Sequence, residues 1–284
     1  MLNKLKVSQS CVSSEKSLYF YTENYIKMTK TALVTGASSG IGKELARIHA
    51  SKNGNLVLVA RRVEELEALK TELESKYNVQ VTVFPQDLTK ENAAQNVYDF
   101  TNSKGIEIEY LFNNAGFGGQ GNFVDRPLSK DIEMINLNVK ALVELSHLYL
   151  QDMKKRKSGR ILNTASTAGY LPGPLQATYF ATKAFVVSFT QALAQELKQH
   201  HITVTALCPG PVKTEFEQVA GFGGGNMFDK AASAHSTALK GYNAMMKGKV
   251  ECISDLTIKI LIKCLLPFFP TSTVAKLVQK LQTV

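Results

Sequence analysis

The chain has 284 residues, with 33 Lys and Arg against 24 Asp and Glu and a net charge of +9. At 44% hydrophobic and 20% charged residues it has the composition of a folded domain with a sizeable core, which excludes a wholly disordered chain. The basic surplus sits largely at the ends: residues 1–27 hold four lysines against two glutamates, and residues 258–284 hold four lysines and no acid, so a nucleic-acid-binding face on the body is not expected.

Residues 1–27 mix Lys, Ser, Glu and Tyr without the apolar run of a secretory signal, and they read as a disordered extension. A folded domain is expected over residues 28–257. It begins with Thr31–Thr35 (TALVT), a buried strand that enters a glycine-rich turn and a helix to about Lys52. Asn55–Ala60 is a second strand, followed by a charged helix over Val63–Tyr77; Val79–Phe84 and Lys90–Ser103 repeat the alternation. Tyr110–Asn113 is a short fourth strand, and Leu128–Met153 carries one long amphipathic helix. Arg160–Ala165, a helix over Thr178–Gln199 and the strand Ile202–Leu207 complete the series. Continuously apolar strands alternating with helices imply an α/β fold, a doubly wound parallel sheet of Rossmann type with helices on both faces. Ligands then bind at the C-terminal strand ends. Beyond residue 208 the pattern loosens. Ala220–Asn226 reads as a flexible loop, Lys230–Lys247 as a helix, and Val250–Ile253 as a strand at the sheet edge. Residues 258–284 form an apolar, basic tail broken at Pro267 and Pro270.

The first strand-to-helix turn carries Gly36, Ser38, Ser39, Gly40, Ile41 and Gly42. Glycines there permit a tight turn and close approach of a pyrophosphate, which the free N–H groups of the following helix would bind. The spacing, G-x-x-x-G-x-G, differs from the general G-x-G-x-x-G pattern. Further along stand Asn113-Asn114-Ala115-Gly116 after the fourth strand, Asn138 in a helix, and Ser166 after the fifth strand. Tyr179 and Lys183 follow in a YxxxK, and Pro209-Gly210 and Thr214 come after the sixth strand. In this order and in register with the strands over residues 31–215, the set resembles the short-chain dehydrogenase/reductase family.

Tyr179 and Lys183, four residues apart, share a helix face. A phenol of pKa about 10 is a poor base near neutrality, and a neighbouring ammonium lowers it. The resemblance implies that Tyr179 gives a proton to a carbonyl oxygen while hydride arrives from a nicotinamide. Ser166 would hold that oxygen, Lys183 would bind the nicotinamide ribose, and Asn138 would hold a proton-relaying water. A helix-interior asparagine satisfied by backbone is the plainer reading of Asn138. The cofactor would also meet Asn114, Ala115, Gly116, Pro209, Gly210 and Thr214. By the same resemblance Asp87 and Leu88 meet the adenine, although Asp87 equally suits a helix cap. After the second strand stands Val59-Ala60-Arg61-Arg62, with no acid for a ribose 2′-hydroxyl. Arg61 would grip a 2′-phosphate, favouring NADP(H) over NAD(H); a plain charged helix start is the other reading.

The resemblance implies that the chain is an NADP-dependent carbonyl reductase acting on a ketone or aldehyde. No Arg or His stands near the pocket segments as an anion clamp, so a neutral or apolar substrate is preferred; 3-oxoacyl thioesters, steroid-like ketones, hydroxy acids and simple aldehydes stay open. The non-enzymatic alternative is an NADP-binding sensor or scaffold, which would be expected to lose the Ser/Tyr/Lys set. The four cysteines and five histidines show no metal or disulfide spacing, so no metal and a cytoplasmic setting are expected. A homo-oligomer is expected by analogy. The tail has three readings: packing on its own domain, an oligomer contact, or a peripheral membrane contact.

Overall fold

In the computed structural model the described residues are 30–216 and 231–283. The N-terminal extension and the glycine-rich stretch Ala220–Asn226 lie outside them. Strand β1 (Thr31–Thr35) and β2 (Leu56–Ala60) are five-residue apolar runs that pair in parallel, Ala32 opposite Leu56 and Thr35 opposite Val59. Between them runs α1 (Gly40–Ala50); α2 (Val63–Lys76), β3 (Val81–Pro85) and α3 (Ala93–Ser103) follow. Strand β4 (Ile108–Asn113) pairs with the other edge of β1, and β5 (Gly159–Thr164), β6 (Ile202–Cys208) and β9 (Glu251–Ile253) extend that side. All pairings are parallel, in the order β3-β2-β1-β4-β5-β6-β9. Strand order reverses between β1 and β4, and such a switch point opens a crevice at the C-terminal strand ends.

Side chains alternate across each strand. Ala32, Val34, Leu58, Phe112 and Leu162 pack beneath α1, α2 and α7 (Ala234–Met246). Leu33, Val57, Leu111, Ile161 and Val204 face the opposite layer, which includes α3 and α5 (Leu142–Arg156). The expected long helix after β4 is divided. Helix α4 (Leu128–Ile135) passes through a π-helical turn, Asn136–Ala141, into α5. One extra residue per turn there changes which side chains face the sheet, something a heptad-like apolar pattern does not encode. Helix α6 (Ala177–Glu196) runs alongside, and a short parallel pair, β7 (Val212–Lys213) with β8 (Ala232–Ser233), precedes α7.

The tail forms α8 (Leu256–Ile260), irregular turns to Phe268, and α9 (Thr271–Gln282). Ile262, Val274, Val278 and Gln282 are buried, so one face of the tail packs on the domain. No helix among the described residues is long and apolar enough to cross a membrane.

Candidate active site

The crevice is built by hydrogen bonds that tie the C-terminal strand ends together. The Thr35 hydroxyl donates to the Phe112 carbonyl at 3.2 Å and accepts from the backbone N–H of Asn114 and of Ala115 at 2.9 and 3.0 Å. The Asn114 amide donates to the Thr35 carbonyl at 3.1 Å and accepts from the Thr164 hydroxyl at 3.1 Å. Three strands, β1, β4 and β5, are thereby locked at their ends. Asn113 points the other way, into the core, donating to Ser146 and Asn163 at 3.0 Å each.

Over this staple lies the glycine-rich turn. Gly36 and Gly40 have φ of +66° and +53°, which a side chain rarely adopts. A Cβ on Gly42 would stand 2.3 Å from the Gly36 oxygen, so only glycine lets α1 close on the turn. Ser39, which begins α1, makes no side-chain cap to the helix, and the first turn of α1 holds no acid. The leading N–H groups of α1 and its positive dipole end are thus left to an external anion. Glycines that leave room for a diphosphate, together with this helix start, fit a nicotinamide dinucleotide.

At the rim of the turn the residue that reaches in is Arg62. Its Nε and Nη2 donate to the Ser38 hydroxyl at 3.3 and 3.1 Å, and Nη2 pairs with Glu215 at 2.9 Å. Arg61 is exposed, on the side of Asp87. Burial opposes ionisation of Asp87, but two hydrogen bonds from Thr89 and the charges of Arg61 and Lys90 keep it below its ordinary value. Asp87 therefore fixes its own turn, and Leu88 beside it is buried.

Across the crevice stand Ser166, Tyr179 and Lys183. Ser166 ends the segment after β5, its hydroxyl accepting from the Ala168 N–H at 3.1 Å and donating to the Pro209 carbonyl at 3.4 Å. Tyr179 and Lys183 project from the first two turns of α6, with the ammonium 5.8 Å from the phenol ring centre. Lys183 is only 4% exposed and donates to the Thr164 carbonyl at 2.8 Å. Burial governs both groups. It pushes the Tyr179 phenol up to about 12, a hydrogen bond with Ser166 pulling the other way. It pushes the Lys183 ammonium down to about 8. In the protein by itself the expected lowering of the phenol is therefore not present: burial favours its protonated form.

The π-helical turn places Asn138 against Gly116 and Phe117. Its carbonyl accepts from the Phe117 N–H at 3.1 Å, while its amide donates to the Phe117 carbonyl at 3.0 Å and to the Thr182 hydroxyl at 3.1 Å. A Cβ on Gly116 would stand 2.9 Å from the Asn138 oxygen and 3.4 Å from the Lys183 nitrogen. Thr214 packs on Gly40, Ile258 of the tail packs on Gly210, and the Phe216 ring lies 5.5 Å from that of Tyr179. Thr35, Thr164, Arg62 and Phe216 were not singled out by the motifs. For Thr35 and Arg62 the only available signal is adjacency to the glycine turn and to Arg61. Among the described residues no group of three or more His, Cys, Asp or Glu is arranged to hold a metal.

The sequence pattern of the family described as short chain dehydrogenase matches residues 30–221. A very-long-chain 3-oxoacyl-CoA reductase of Pyrenophora tritici-repentis (strain Pt-1C-BFP) is 34% identical over 194 residues, covering 66% of this chain and 56% of that protein. The 17-beta-hydroxysteroid dehydrogenase type 3 of Homo sapiens is 34% identical over 192 residues, covering 66% and 60% respectively. The chain thus spans somewhat over half the length of these curated relatives. Among solved structures, a short-chain dehydrogenase from Sphingobium yanoikuyae in complex with NADPH superposes with a TM-score of 0.76 at 30% identity, over 81% of this chain and 90% of that one.

Proposed function

Because the chain belongs to the short-chain dehydrogenase family, we propose that it is an NADPH-dependent reductase of apolar ketones or aldehydes, with Tyr179 as proton donor. The observation that carries this is the convergence of a half-buried phenol with a buried hydroxyl and a buried ammonium opposite a glycine cradle. When bound, the dihydronicotinamide supplies the hydride that, with one proton from the protein, converts C=O to CH–OH. Tyr179, held protonated by burial, gives its proton to the carbonyl oxygen as that oxygen gains charge. Ser166, whose oxygen is positioned by the Ala168 N–H, turns its single hydroxyl proton from the Pro209 carbonyl to the same oxygen and stabilises its charge. Lys183 lies beside Tyr179 and, protonated below about pH 8, stabilises the phenolate left after transfer. Asn138 holds the Gly116–Phe117 backbone and Thr182, and so sets the floor under Lys183.

Arg62, bonded to Ser38, supports the choice of NADP(H): a guanidinium at the rim of the glycine turn suits a 2′-phosphate. Arg61, exposed beside it, adds positive charge to the same rim. The names of the two curated relatives, a very-long-chain 3-oxoacyl-CoA reductase and a 17-beta-hydroxysteroid dehydrogenase, favour a bulky apolar carbonyl substrate. NADPH oxidation against carbonyl compounds graded by length and charge tests the reading. Turnover should rise with apolar length and fall for compounds carrying a carboxylate near the carbonyl; no turnover with any member would contradict it.

The tail adds a lipid surface to this proposal. Leu256 and Phe268 are 71% and 85% exposed, and Phe269, Leu265 and Leu281 are exposed as well. The segment from 256 to 284 contains four lysines and no acid, which complements an anionic bilayer; a second copy brought face to face would oppose the same lysines. Gln282 accepts from Gln120 and Gln176 at 2.7 and 3.1 Å, so the tail borders the crevice. The protein should sediment with phosphatidylglycerol vesicles at low salt and not with phosphatidylcholine, and the Phe268→Ser/Phe269→Ser variant should lose that binding. Failure of the unmodified protein to sediment removes the lipid contact.

A further inference from the structure

Three consecutive residues cross the crevice from its cofactor side to its proton donor. Thr214 lies on the glycine turn, its Cγ2 3.1 Å from where a Gly40 Cβ would stand. Glu215 pairs with Arg62 at 2.9 Å and is also bonded by the Ser39 side chain. Phe216 covers Tyr179, its Cζ 2.8 Å from a Cβ position on Gly118. The Phe216 N–H donates to the Thr214 hydroxyl at 3.2 Å, so the three side chains are set by one tight piece of backbone. The Glu215 carboxylate thus holds Arg62 and Ser39, two of the donors at the glycine turn, with an anion supplied by the chain itself.

We infer that Glu215 is a specificity-tuning residue: it competes with a cofactor 2′-phosphate for Arg62, so a phosphate-bearing cofactor detaches residues 214–216 and lifts Phe216 from Tyr179. This rests on the NADP(H) reading of the site. Arg62 and Glu215 are 43% and 53% exposed, and so open a pair shifts an equilibrium by about fivefold or less. A phosphate carries more charge and more acceptor oxygens than a carboxylate, so it displaces Glu215 rather than being excluded by it. A ribose with a free 2′-hydroxyl has no charge to offer and leaves the pair closed. Glu215 therefore weakens the binding of NADPH alone, and the interaction energy it withholds goes into uncovering the proton donor.

The chain contains no tryptophan, so Phe216→Trp installs a single reporter on the covering ring. Adenosine 2′,5′-bisphosphate, which carries the phosphate but no nicotinamide, should shift its emission to the red; adenosine 5′-monophosphate should not. In Glu215→Gln the bisphosphate and NADPH should each bind about three- to fivefold tighter, the size of the lost exposed pair, with NADH unchanged. The reporter in the Glu215→Gln background should be red-shifted before any nucleotide is added. Equal bisphosphate affinity in both proteins, or binding without an emission change, overturns the role of Glu215. If instead the bisphosphate binds the unmodified protein no better than the monophosphate, the NADP(H) reading falls, and this inference with it.

Discussion

The two ends of the parallel sheet are chemically opposite. At the N-terminal strand ends, Glu109 is enclosed by Lys30 at 3.0 Å, the Ser158 hydroxyl at 2.6 Å and Arg156 at 3.7 Å, and Arg156 also donates to the Ile108 carbonyl. His49, close by, is buried and pushed down to about 4 by that burial; its Nε2 meets the Lys30 carbonyl and its Nδ1 the Tyr242 hydroxyl. Charges there are paired with one another, although Arg156 Nε makes no hydrogen bond. At the C-terminal ends the bonds of Thr35, Asn114 and Lys183 go mainly to backbone. They fix the strands while leaving a phenol, a serine hydroxyl and bare glycine backbone facing the crevice. At the far end opposite charges are paired; at the crevice, bonds to backbone position reactive groups and leave them for a ligand.

Removing the Ser166 hydroxyl tests the second half of this contrast most severely. Ser166→Ala should lower kcat/KM for carbonyl reduction by about 10²–10³ while NADPH affinity stays within a factor of two by fluorescence titration. A loss of cofactor affinity equal to the loss of turnover would point to a collapsed segment after β5. Lys183 comes next. Its proton is held to about pH 8 in the fold against an ordinary value near 10.5, so between these limits the unfolded chain binds more protons and stability from this group rises with pH. Below pH 8 the fold carries a buried charge that costs up to about 3 kcal/mol. Lys183→Met should therefore unfold at higher denaturant than the unmodified protein at pH 7, with the advantage shrinking from pH 8 to 10. The lost bond to the Thr164 oxygen trims that advantage but not its slope, and an advantage independent of pH would refute the buried charge.

Smaller effects are expected at the rim and at the far end. Arg62→Ala should raise the Kd for NADPH about 10- to 100-fold, the value of a charge-assisted contact, and leave NADH nearly unchanged. Arg61→Ala should do less, because its side chain lies toward Asp87. Equal losses for both cofactors in either variant would count against a 2′-phosphate site. Glu109→Gln should destabilise the fold by about 1–3 kcal/mol in thermal melts while leaving kcat within a factor of two. A large loss of turnover there would erase the distinction between the two ends.

The sheet was legible because its strands are buried on both faces and so appear as unbroken apolar runs, such as LVLVA in β2. The glycine turn, Ser166, Tyr179 and Lys183 were legible for a different reason: each must occupy a fixed place after a particular strand. What escaped depends on side-chain direction. Two adjacent arginines follow β2, and the sequence alone does not say that it is Arg62 whose guanidinium meets Ser38. The π-helical turn at Asn138 leaves no trace in an apolar pattern. Phe216 meets Tyr179 through a contact 37 positions apart in the chain, which no local spacing announces. The tail showed its amphipathic character in the sequence, yet its bonds to Gln120 and Gln176 come from tertiary packing alone.

The most direct measurement is NADPH consumption by Tyr179→Phe, using any carbonyl compound that the unmodified protein turns over, alongside NADPH binding by the same variant. Turnover should fall by about 10²-fold or more with cofactor affinity within a factor of two, since the ring itself and the glycine turn remain. Turnover that survives the loss of the phenol hydroxyl would contradict the assignment of Tyr179 as proton donor.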